Sequence, residues 1–310
     1  INTSLVNSVK PDRHAIQNVI SEMLLSNGFS EIMSNSLTSS AYTKNDNAVK
    51  ILNPLSSELD ILRDTLMFGG IQTITYNINR KSESLKLFEF GKSYLKSDNS
   101  YLEQDYLSLW MTGNFKNESW DIESEEINYF HLKSIVEAVL TRCTTIPFKL
   151  KALDHEYYEH GLCYEINNKI IVKIAQISSA ILKQMECTQK VFYAEIDWDA
   201  LIHLTSINTI RYSELPKFPG VRRDLSLLVD KEVPFGDLVS EALKTDKHLL
   251  KNINLFDVYE GNKLPEGKKS YAISYMLQDE NATLTDKLID GVMNKIIQAY
   301  QKKFNAVLRG

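Results

Sequence analysis

Two stretches decide the fold of the C-terminal third of the chain: VRRDLSLLVD at residues 221–230 and INLFDVYEGNKLPEGKKSYAISYMLQ at residues 253–278. Leucine, valine and aromatic residues predict a strand in the first stretch. The second contains two strand-like segments around a reversal marked by glycine and proline at residues 261–267, which predicts a β-hairpin. Three strands, two of them in a hairpin, therefore anchor this part of the chain.

Two helix patterns and a final strand complete the C-terminal third. Apolar residues at helical spacing predict a helix over residues 235–244 and a longer helix from Thr285 to Tyr300. Residues 306–308 predict a short last strand. The order is then β-α-β-β-α-β, which is the ferredoxin-like arrangement.

The period of two assigns faces to the predicted sheet. The large side chains of the third strand are expected under the two helices: Tyr271, Ile273, Tyr275 and Leu277. On the second strand the same period predicts that Phe256 and Val258 are buried. It directs Asp257 and Tyr259 to the other face, beside Ser226. We expect this second face to be uncovered and to carry an aromatic ring and a carboxylate.

The uncovered face has the chemistry of a surface that binds single-stranded RNA. The ring of Tyr259 offers a π-face to an unstacked base, Asp257 can accept hydrogen bonds from base N–H groups, and cations near the rim can contact phosphates. A solvated sheet face with one ordinary tyrosine is the alternative interpretation. The candidate RNA-binding residues are Arg222, Arg223, Ser226, Asp257, Tyr259, Lys268, Lys269 and Ser274.

Four separated blocks resemble a known domain. They are Phe218-Pro219 with the following run Arg222 to Asp224, the run Leu255 to Gly261, the run Glu266 to Ser270, and the run Thr283 to Asp286. In this order they resemble the ferredoxin-fold anticodon-binding domain that ends the β subunit of bacterial phenylalanyl-tRNA synthetases. The resemblance implies that the uncovered face lies against the anticodon loop of the tRNA for phenylalanine.

Length and composition are those of a soluble globular protein with two or three domains. The chain has 310 residues, of which 43% are hydrophobic and 24% charged. No apolar run approaches the roughly 18 residues of a membrane span and no signal peptide is recognisable, so we expect a cytoplasmic protein without a membrane partner. The net charge is −5, but residues 217–310 carry 15 Lys and Arg against 13 Asp and Glu. This distribution favours the C-terminal third as the surface for a polyanion.

No pattern of cysteine, histidine or acidic residues predicts a metal site or a disulfide. The three cysteines are odd in number and about twenty residues apart, which suits neither a disulfide framework nor a zinc site. His155 and His160 are five residues apart, whereas metalloprotease histidines are four apart and share one helix face. Asp197 and Asp199 are expected on a strand, flanking an inward Trp198, with no third ligand nearby in sequence.

A second resemblance covers the N-terminal two thirds of the chain. A predicted helix over residues 11–28 feeds a strand over residues 29–37, which is similar to the first motif of class II aminoacyl-tRNA synthetases, the one that builds their dimer interface. Residues 51–55 and 61–66 are similar to the core module of the same β subunit, and residues 85–94 occupy the place of the second motif. The predicted fold class is α+β: a class II synthetase-like antiparallel sheet domain followed by the ferredoxin-like domain.

The residues that class II chemistry needs do not stand at the corresponding positions. An active subunit would carry the arginine that holds the α-phosphate of ATP where this chain has Leu95, and an acid where it has Ser97. Leucine offers no hydrogen-bond donor. A Gly-x-Gly-x-Gly run followed by arginine, the third motif, is not found downstream. We therefore predict a core without catalytic residues, in which Arg63 makes a structural ion pair with a neighbour such as Asp60 or Asp64.

Together the resemblances imply part of a tRNA ligase, the C-terminal part of its β subunit. Residues 1–205 are the expected inactive core, residues 206–220 a linker, and residues 221–310 the anticodon-binding domain. The family implies an α2β2 enzyme that joins phenylalanine to its tRNA with ATP and magnesium, with catalysis in the α subunit. The implied partners are the α subunit and tRNA(Phe), but not DNA, and neither a cofactor nor a metal is expected in this chain.

Two other functions stay open at this point. The ferredoxin-like part could be a regulatory module that binds a small amino acid, in which case free phenylalanine, but not RNA, would stabilise the chain against heat. Residues 1–205 could instead form an independent class II ligase, which ATP–pyrophosphate exchange by the chain alone would support. Leu95 argues against the second function.

Overall fold

A computed structural model describes residues 12–98, 100–205, 212, 214–261 and 264–309. Contacts between Cα atoms divide the chain into two compact units, residues 1–210 (unit 1) and residues 211–310 (unit 2). Part of the predicted linker, residues 206–211 and 213, lies outside the described residues, so the linker bounds stay a prediction. Among the described residues, the structure has no helix with the length and hydrophobicity of a membrane span.

Unit 1 is built on a large sheet with helices on both faces. Its helices are α1 (Arg13–Ser26), α2 (Met67–Ile78), α3 (Tyr129–Cys143), α4 (Ser179–Gln184) and α5 (Trp198–Thr205). Its strands are β1 (Ser30–Glu31), β2 (Leu37–Thr38), β3 (Ile61–Leu62), β4 (Leu85–Ser97), β5 (Ser100–Thr112), β6 (Asn114–Lys116), β7 (Glu125–Glu126), β8 (Lys149–Ala152), β9 (Tyr158–Ile166), β10 (Lys169–Ile177) and β11 (Phe192–Asp197). The seven-stranded sheet has the order β1-β4-β5-β11-β10-β9-β8. Since only the β1–β4 pair is parallel, the predicted antiparallel sheet domain is confirmed.

Local sequence sets both ends of α1. The Asp12 side chain accepts hydrogen bonds from the backbone N–H groups of His14 and Ala15, which caps the start of the helix. Beyond the other end, Gly28 has φ 81°, a left-handed conformation that glycine adopts without steric strain. The predicted helix is thus confirmed.

The two faces of the unit 1 sheet carry separate cores. α1, α3 and α5 pack on one face, where Ile20 and Leu201 are buried in one cluster with Leu109 of β5. α2 and α4 pack on the other face, where Ile71 lies in a cluster with Trp110, the next residue of β5. Neighbouring residues of this strand therefore serve opposite cores, as the period of two requires.

Two strand predictions in unit 1 are wrong. The run 29–37, expected as one strand, contains only β1 and the start of β2. Between them, Ser34 donates from its backbone N–H and its hydroxyl to the Glu89 carboxylate, which takes that N–H out of any strand ladder. At the end of β11, Trp198 and Asp199 begin α5 instead of continuing the strand. Asp197 and Asp199 therefore do not flank a tryptophan on a strand.

Unit 2 has the predicted β-α-β-β-α-β order. Its elements are β12 (Val221–Asp230), α6 (Phe235–Thr245), β13 (Leu250–Tyr259), β14 (Lys268–Leu277), α7 (Asp286–Phe304) and β15 (Val307–Leu308). The antiparallel sheet has the order β13-β14-β12-β15, so β13 is an edge strand. Both helices share a core with the predicted inward residues of β14: Tyr271, Ile273, Tyr275 and Leu277. The predicted ferredoxin-like fold is confirmed, and we call the side of the sheet away from α6 and α7 the open face.

Two buried tyrosines tie α7 to α6 and to the sheet. The Tyr275 hydroxyl donates to the Tyr300 hydroxyl (3.0 Å), which donates to the backbone carbonyl of Leu238 (3.1 Å). Burial raises the pKa of Tyr300 to about 12 and also raises the pKa of Tyr275. Both phenols therefore stay protonated in folded unit 2 at pH values where exposed tyrosines ionise.

We expect unit 2 to lose stability between about pH 10 and pH 12. In that window the unfolded chain releases phenol protons that the folded chain retains, so unfolding becomes more favourable as pH rises. Tyr300→Phe is expected to flatten this dependence. The measurement is urea unfolding at several alkaline pH values by far-ultraviolet circular dichroism, with tryptophan fluorescence as the record of unit 1 alone, since Trp110, Trp120 and Trp198 all lie there. An unchanged pH slope in Tyr300→Phe would contradict the expectation.

Candidate nucleic-acid interface

Strand register brings several of the predicted residues together on the open face. Asp257 and Ser226 lie in one row, separated by a single residue of β14, and Tyr259 pairs with Ser270 in the next row. The hydroxyl oxygens of Ser226 and Ser270 are 3.5 Å apart. Ser274 lies on the same face in the row on the other side of Asp257. The face thus combines hydroxyl groups, a carboxylate and one phenol ring.

A β-bulge changes the predicted faces of β13. The ladder between β13 and β14 skips Phe256, so this residue is the extra one of the bulge. Its side chain is 50% exposed, and the prediction that Phe256 is buried is wrong. Val258 pairs with Tyr271 on the helix side as expected, yet it is 46% exposed on an edge strand, so its predicted burial is also wrong. The exposed surface of β13 is therefore more apolar than the sequence suggested.

The ring of Tyr259 is held between two neighbours. The guanidinium carbon of Arg309 lies 5.4 Å from the ring centroid, within the range of a cation–π contact. A Cβ added at Gly261 would lie 2.5 Å from the tyrosine hydroxyl oxygen, so a larger residue there would displace the end of this ring. Sequence reasoning missed Arg309. The sequence signal that could have identified it was its place directly after the short last strand. In the structure its N–H donates to the carbonyl of Ser226 at 2.9 Å.

Two predicted cations lie on the open face, each beside an acid. The guanidinium of Arg222 donates two hydrogen bonds to the Asp224 carboxylate, at 2.8 and 3.1 Å, and lies 5.3 Å from the centroid of the Phe256 ring. The Nζ of Lys268 lies 2.6 Å from Oδ1 of Asp230. The positive charge of this face is therefore partly neutralised within unit 2.

Arg223 and Lys269 do not belong to this face, so their predicted position at its rim is wrong. Arg223 pairs with buried Tyr275, and its Nη2 lies 3.0 Å from Oδ1 of Asp286, the first residue of α7. Lys269 is only 8% exposed, and its Nζ lies 4.7 Å from the centroid of the Tyr271 ring on the helix side. The period of two explains both positions, because each residue directly follows one that faces the open side.

In unit 1, the cleft beside Leu95 does not fit a nucleoside triphosphate. It has a volume of about 550 Å³ and its polar lining includes Asp46 and Asp98, with Lys96 as its cation. Two carboxylates disfavour a polyphosphate, and Leu95 supplies no donor in place of an arginine. Ser97 also lines the cleft and carries no charge. The lining of this cleft is thus poorly matched to a triphosphate.

Arg63 makes a structural ion pair, but with a partner other than the one predicted. Its Nη1 lies 2.8 Å from Oε1 of Glu89, and its Nε donates to the backbone carbonyl of Lys92 at 2.8 Å. Both ionic residues are buried, at 6% and 1% exposure. The prediction of a partner such as Asp60 or Asp64 is wrong, because the partner comes from β4, distant in sequence.

A second buried polar cluster surrounds Glu195 on the α2 side of the sheet. The carboxylate accepts hydrogen bonds from Tyr193 (2.9 Å), Thr65 (3.0 Å) and the Nζ of Lys173 (3.0 Å). Burial raises the pKa of Tyr193 well above its ordinary value. Both carboxylate oxygens of Glu195 are thus satisfied from within the chain. Across the described residues, no group of three or more histidine, cysteine or acidic side chains is arranged to hold a metal ion.

Comparison with known protein families gives two matches that together cover most of the chain. The family described as "Phenylalanyl tRNA synthetase beta chain CLM domain" matches residues 2–198. The family described as "Ferredoxin-fold anticodon binding domain" matches residues 216–309. The first match covers the chain up to the start of α5, and the second covers unit 2 from just before β12.

Individual relatives agree with these matches. The phenylalanine–tRNA ligase beta subunit of Porphyromonas gingivalis is 39% identical over 100% of this chain and 40% of its own length. The corresponding subunit of Bacteroides thetaiotaomicron is 38% identical with the same coverage, and that of Fusobacterium nucleatum is 31% identical over 88% of this chain and 35% of its own length. The chain thus spans about two fifths of the length of the first two of these curated relatives.

One solved structure supports the fold. The pyrrolysyl-tRNA synthetase of Desulfitobacterium hafniense superposes with a TM-score of 0.50 at 14% identity, over 66% of this chain and 72% of that chain. At this identity the likeness concerns the fold alone.

Proposed function

The chain belongs to the phenylalanyl-tRNA synthetase β-chain family, and from this premise we propose that it acts as part of a phenylalanine–tRNA ligase in the cytoplasm. In this proposal unit 1 is a non-catalytic scaffold that binds the catalytic α subunit of an α2β2 enzyme. Unit 2 binds the anticodon region of tRNA(Phe). The α subunit supplies the site for ATP and magnesium.

The observation that carries the RNA-binding role is the set of aromatic rings and guanidinium groups on the open face. Tyr259 and Phe256 expose ring surface on the side that α6 and α7 leave uncovered, and Arg309 and Arg222 lie over these rings. Unstacked bases bind such surfaces by stacking on rings and on guanidinium planes. Asp257, Ser226, Ser274 and Lys268 supply polar groups beside the rings. We therefore propose these residues as the RNA contacts and omit Arg223 and Lys269, which lie on the helix side.

The scaffold role of unit 1 is supported by the state of its polar residues. The Arg63–Glu89 ion pair and the Glu195 cluster are satisfied within the chain, and the cleft beside Leu95 is poorly suited to ATP. A polar network whose members are paired with one another holds a fold and leaves little hydrogen-bonding capacity for a substrate. The same features argue against an independent class II ligase.

Removing the ring of Tyr259 tests the RNA-binding proposal. Tyr259→Ala is expected to weaken the binding of tRNA(Phe) to the chain assembled with its α subunit by about 5- to 150-fold, the effect of losing one stacked base. The measurement is equilibrium binding of tRNA(Phe) at one fixed salt concentration. Tyr101→Ala is the matched control, because Tyr101 is 71% exposed in unit 1. Unchanged affinity of Tyr259→Ala would contradict the assignment of this face.

Two neighbouring arginines give a second test, because they lie on opposite faces. Arg222→Gln is expected to weaken tRNA(Phe) binding. It is also expected to make the plot of log affinity against log salt less steep, by about the amount that one phosphate contact contributes. Arg223→Gln is expected to leave both quantities unchanged, since its guanidinium pairs with Asp286 on the helix side. The same titration, repeated over a range of salt concentrations, measures both variants. Equal effects of the two substitutions would contradict the proposed face.

A further inference from the structure

Trp120 is exposed to an unusual degree for a tryptophan. Its side chain is 96% exposed, whereas Trp110 and Trp198 are 0% and 1% exposed. Tryptophan is a costly residue to leave in water, and it is enriched among the residues that dominate protein–protein binding. Trp120 lies at the tip of a hairpin formed by β6, β7 and the residues between them, which we call the Trp120 hairpin (residues 114–126).

The tip of the Trp120 hairpin is an ordered turn. The N–H of Ser119 donates to the carbonyl of Ile122 (2.9 Å), and the N–H of Ile122 donates back to the carbonyl of Ser119 (3.4 Å). The Ser119 hydroxyl also donates to Oδ1 of Asp121 (2.7 Å). Trp120 and Asp121 are thus the two central residues of a closed turn. A side chain presented in this way loses less conformational freedom when it binds.

The base of the hairpin is fixed to α3. The Phe115 ring stacks on the His131 ring with centroids 4.0 Å apart and planes inclined by 6°. The Glu125 carboxylate lies 3.2 Å from Nζ of Lys116 and 3.0 Å from Nε2 of His131. Ile127, just after the hairpin, is buried, and its N–H donates to the carbonyl of Gly113 at 2.9 Å. These contacts hold the base of the hairpin in place, and Trp120 lies at its free end.

The charge at the tip of the Trp120 hairpin, beyond Lys116, has one sign. Residues 117–126 contain five acidic residues and no lysine or arginine. Three of the acids flank the tip and are exposed: Glu118, Asp121 and Glu123. Such a tip repels the phosphates of RNA and attracts a polypeptide surface rich in lysine and arginine. The indole requires, in addition, an apolar recess on that surface.

We propose that the Trp120 hairpin docks on the α subunit, with the Trp120 indole in an apolar recess rimmed by lysine and arginine. This inference rests on the proposed function, because α is the polypeptide to which that function binds unit 1. Its interface core would be one aromatic anchor, and its rim the acids of the tip. This arrangement matches the usual anatomy of protein interfaces, with a buried aromatic centre and a polar surround.

The direct test follows the three tryptophans separately. The chain is produced with 5-fluorotryptophan, the resonances are assigned with Trp120→Phe, and unlabelled α subunit is added while fluorine NMR spectra are recorded. The Trp120 resonance is expected to change its chemical shift with α concentration, and the Trp110 and Trp198 resonances to keep their chemical shifts, since both are buried. Formation of the complex with no change at Trp120 would overturn the proposal.

Variants measure the contribution of the hairpin to affinity. Trp120→Ala is expected to weaken the binding of α at least about 30-fold, the loss seen when an interface hot spot is truncated. Asp121→Lys with Glu123→Lys is expected to weaken binding and to remove most of its salt dependence. Glu232→Lys with Asp290→Lys is the charge-matched control on unit 2, where both residues are exposed.

The outcomes separate this inference from the proposed function. If the unaltered chain does not bind α, both fail. If it binds α and the hairpin variants bind equally well, only the hairpin proposal fails. Sedimentation of the chain alone tests a different occupant, a second copy of this chain: concentration-dependent association that Trp120→Ala abolishes would place that copy on the hairpin and overturn the assignment to α.

Discussion

Replacing Arg63 with methionine is expected to lower the free energy of unfolding of unit 1 by about 3–5 kcal/mol, because the Glu89 carboxylate then stays buried without its counter-ion. Glu89 is 1% exposed and receives the Arg63 guanidinium at 2.8 Å. Ser34 also donates to it, at 2.6 Å, but a hydroxyl does not neutralise the charge. Urea unfolding followed by tryptophan fluorescence measures the effect, since all three tryptophans lie in unit 1.

Two controls make this expectation specific. Arg80→Met removes an exposed arginine that follows α2, donates to the Tyr76 carbonyl and lies over the Tyr76 ring, and it is expected to cost no more than about 1 kcal/mol. The double variant Arg63→Met with Glu89→Met replaces the whole pair by apolar groups, and we expect it to recover much of the loss, since no buried charge remains. If Arg63→Met unfolded like the unaltered chain, the ion pair would have no part in holding β4 to the segment around Arg63.

The second large effect is expected at Gly70, in the first turn of α2. A Cβ added there would overlap the indole ring of Trp110, which is fully buried and donates from Nε1 to the carbonyl of Met67 at 3.2 Å. Neither the ring nor the helix can move without disturbing a packed core. We expect Gly70→Ala to destabilise unit 1 by about 3 kcal/mol, even though alanine favours a helix by about 1 kcal/mol over glycine.

Gly291 provides the matched control in α7. A Cβ at this position meets no heavy atom within 4 Å. Gly291→Ala is therefore expected to stabilise unit 2 by about 0.5–1 kcal/mol, through helix propensity and a less flexible unfolded chain. Thermal unfolding by circular dichroism and by tryptophan fluorescence compares the two variants. A neutral result at Gly70 would mean that α2 does not press on Trp110 as the structure describes.

Sequence periodicity predicted the parts of the fold that depend on neighbours in the chain. The alternation in β14 identified Tyr271 and Tyr275 as inward, because side chains of a strand point alternately to its two faces. The helical spacing after Thr285 identified α7.

Features that depend on distant pairs could not be read from local patterns. The bulge at Phe256 inserts one residue into β13. Its neighbours, Leu255 and Asp257, are a large apolar and a polar residue, as a regular strand would also have. The sequence pattern therefore gives no sign of the extra residue. Arg63 has acids nearby in sequence, yet it pairs with Glu89 across the fold. Arg309 meets Tyr259 only because β15 lies beside β12 in the sheet. Each of these contacts requires strand register, which sequence periodicity alone does not specify.

The bulge in β13 has a consequence for how the protein behaves at high concentration. β13 forms the outer margin of its sheet, and a long regular margin is a template on which a second molecule can add a strand and start a fibre. The ladder of β13 is interrupted twice, between residues 250 and 252 and between residues 255 and 257. An incoming strand would lose its register at each interruption. The irregularity that turns Phe256 toward solvent thus also makes this margin a poor template for strand addition.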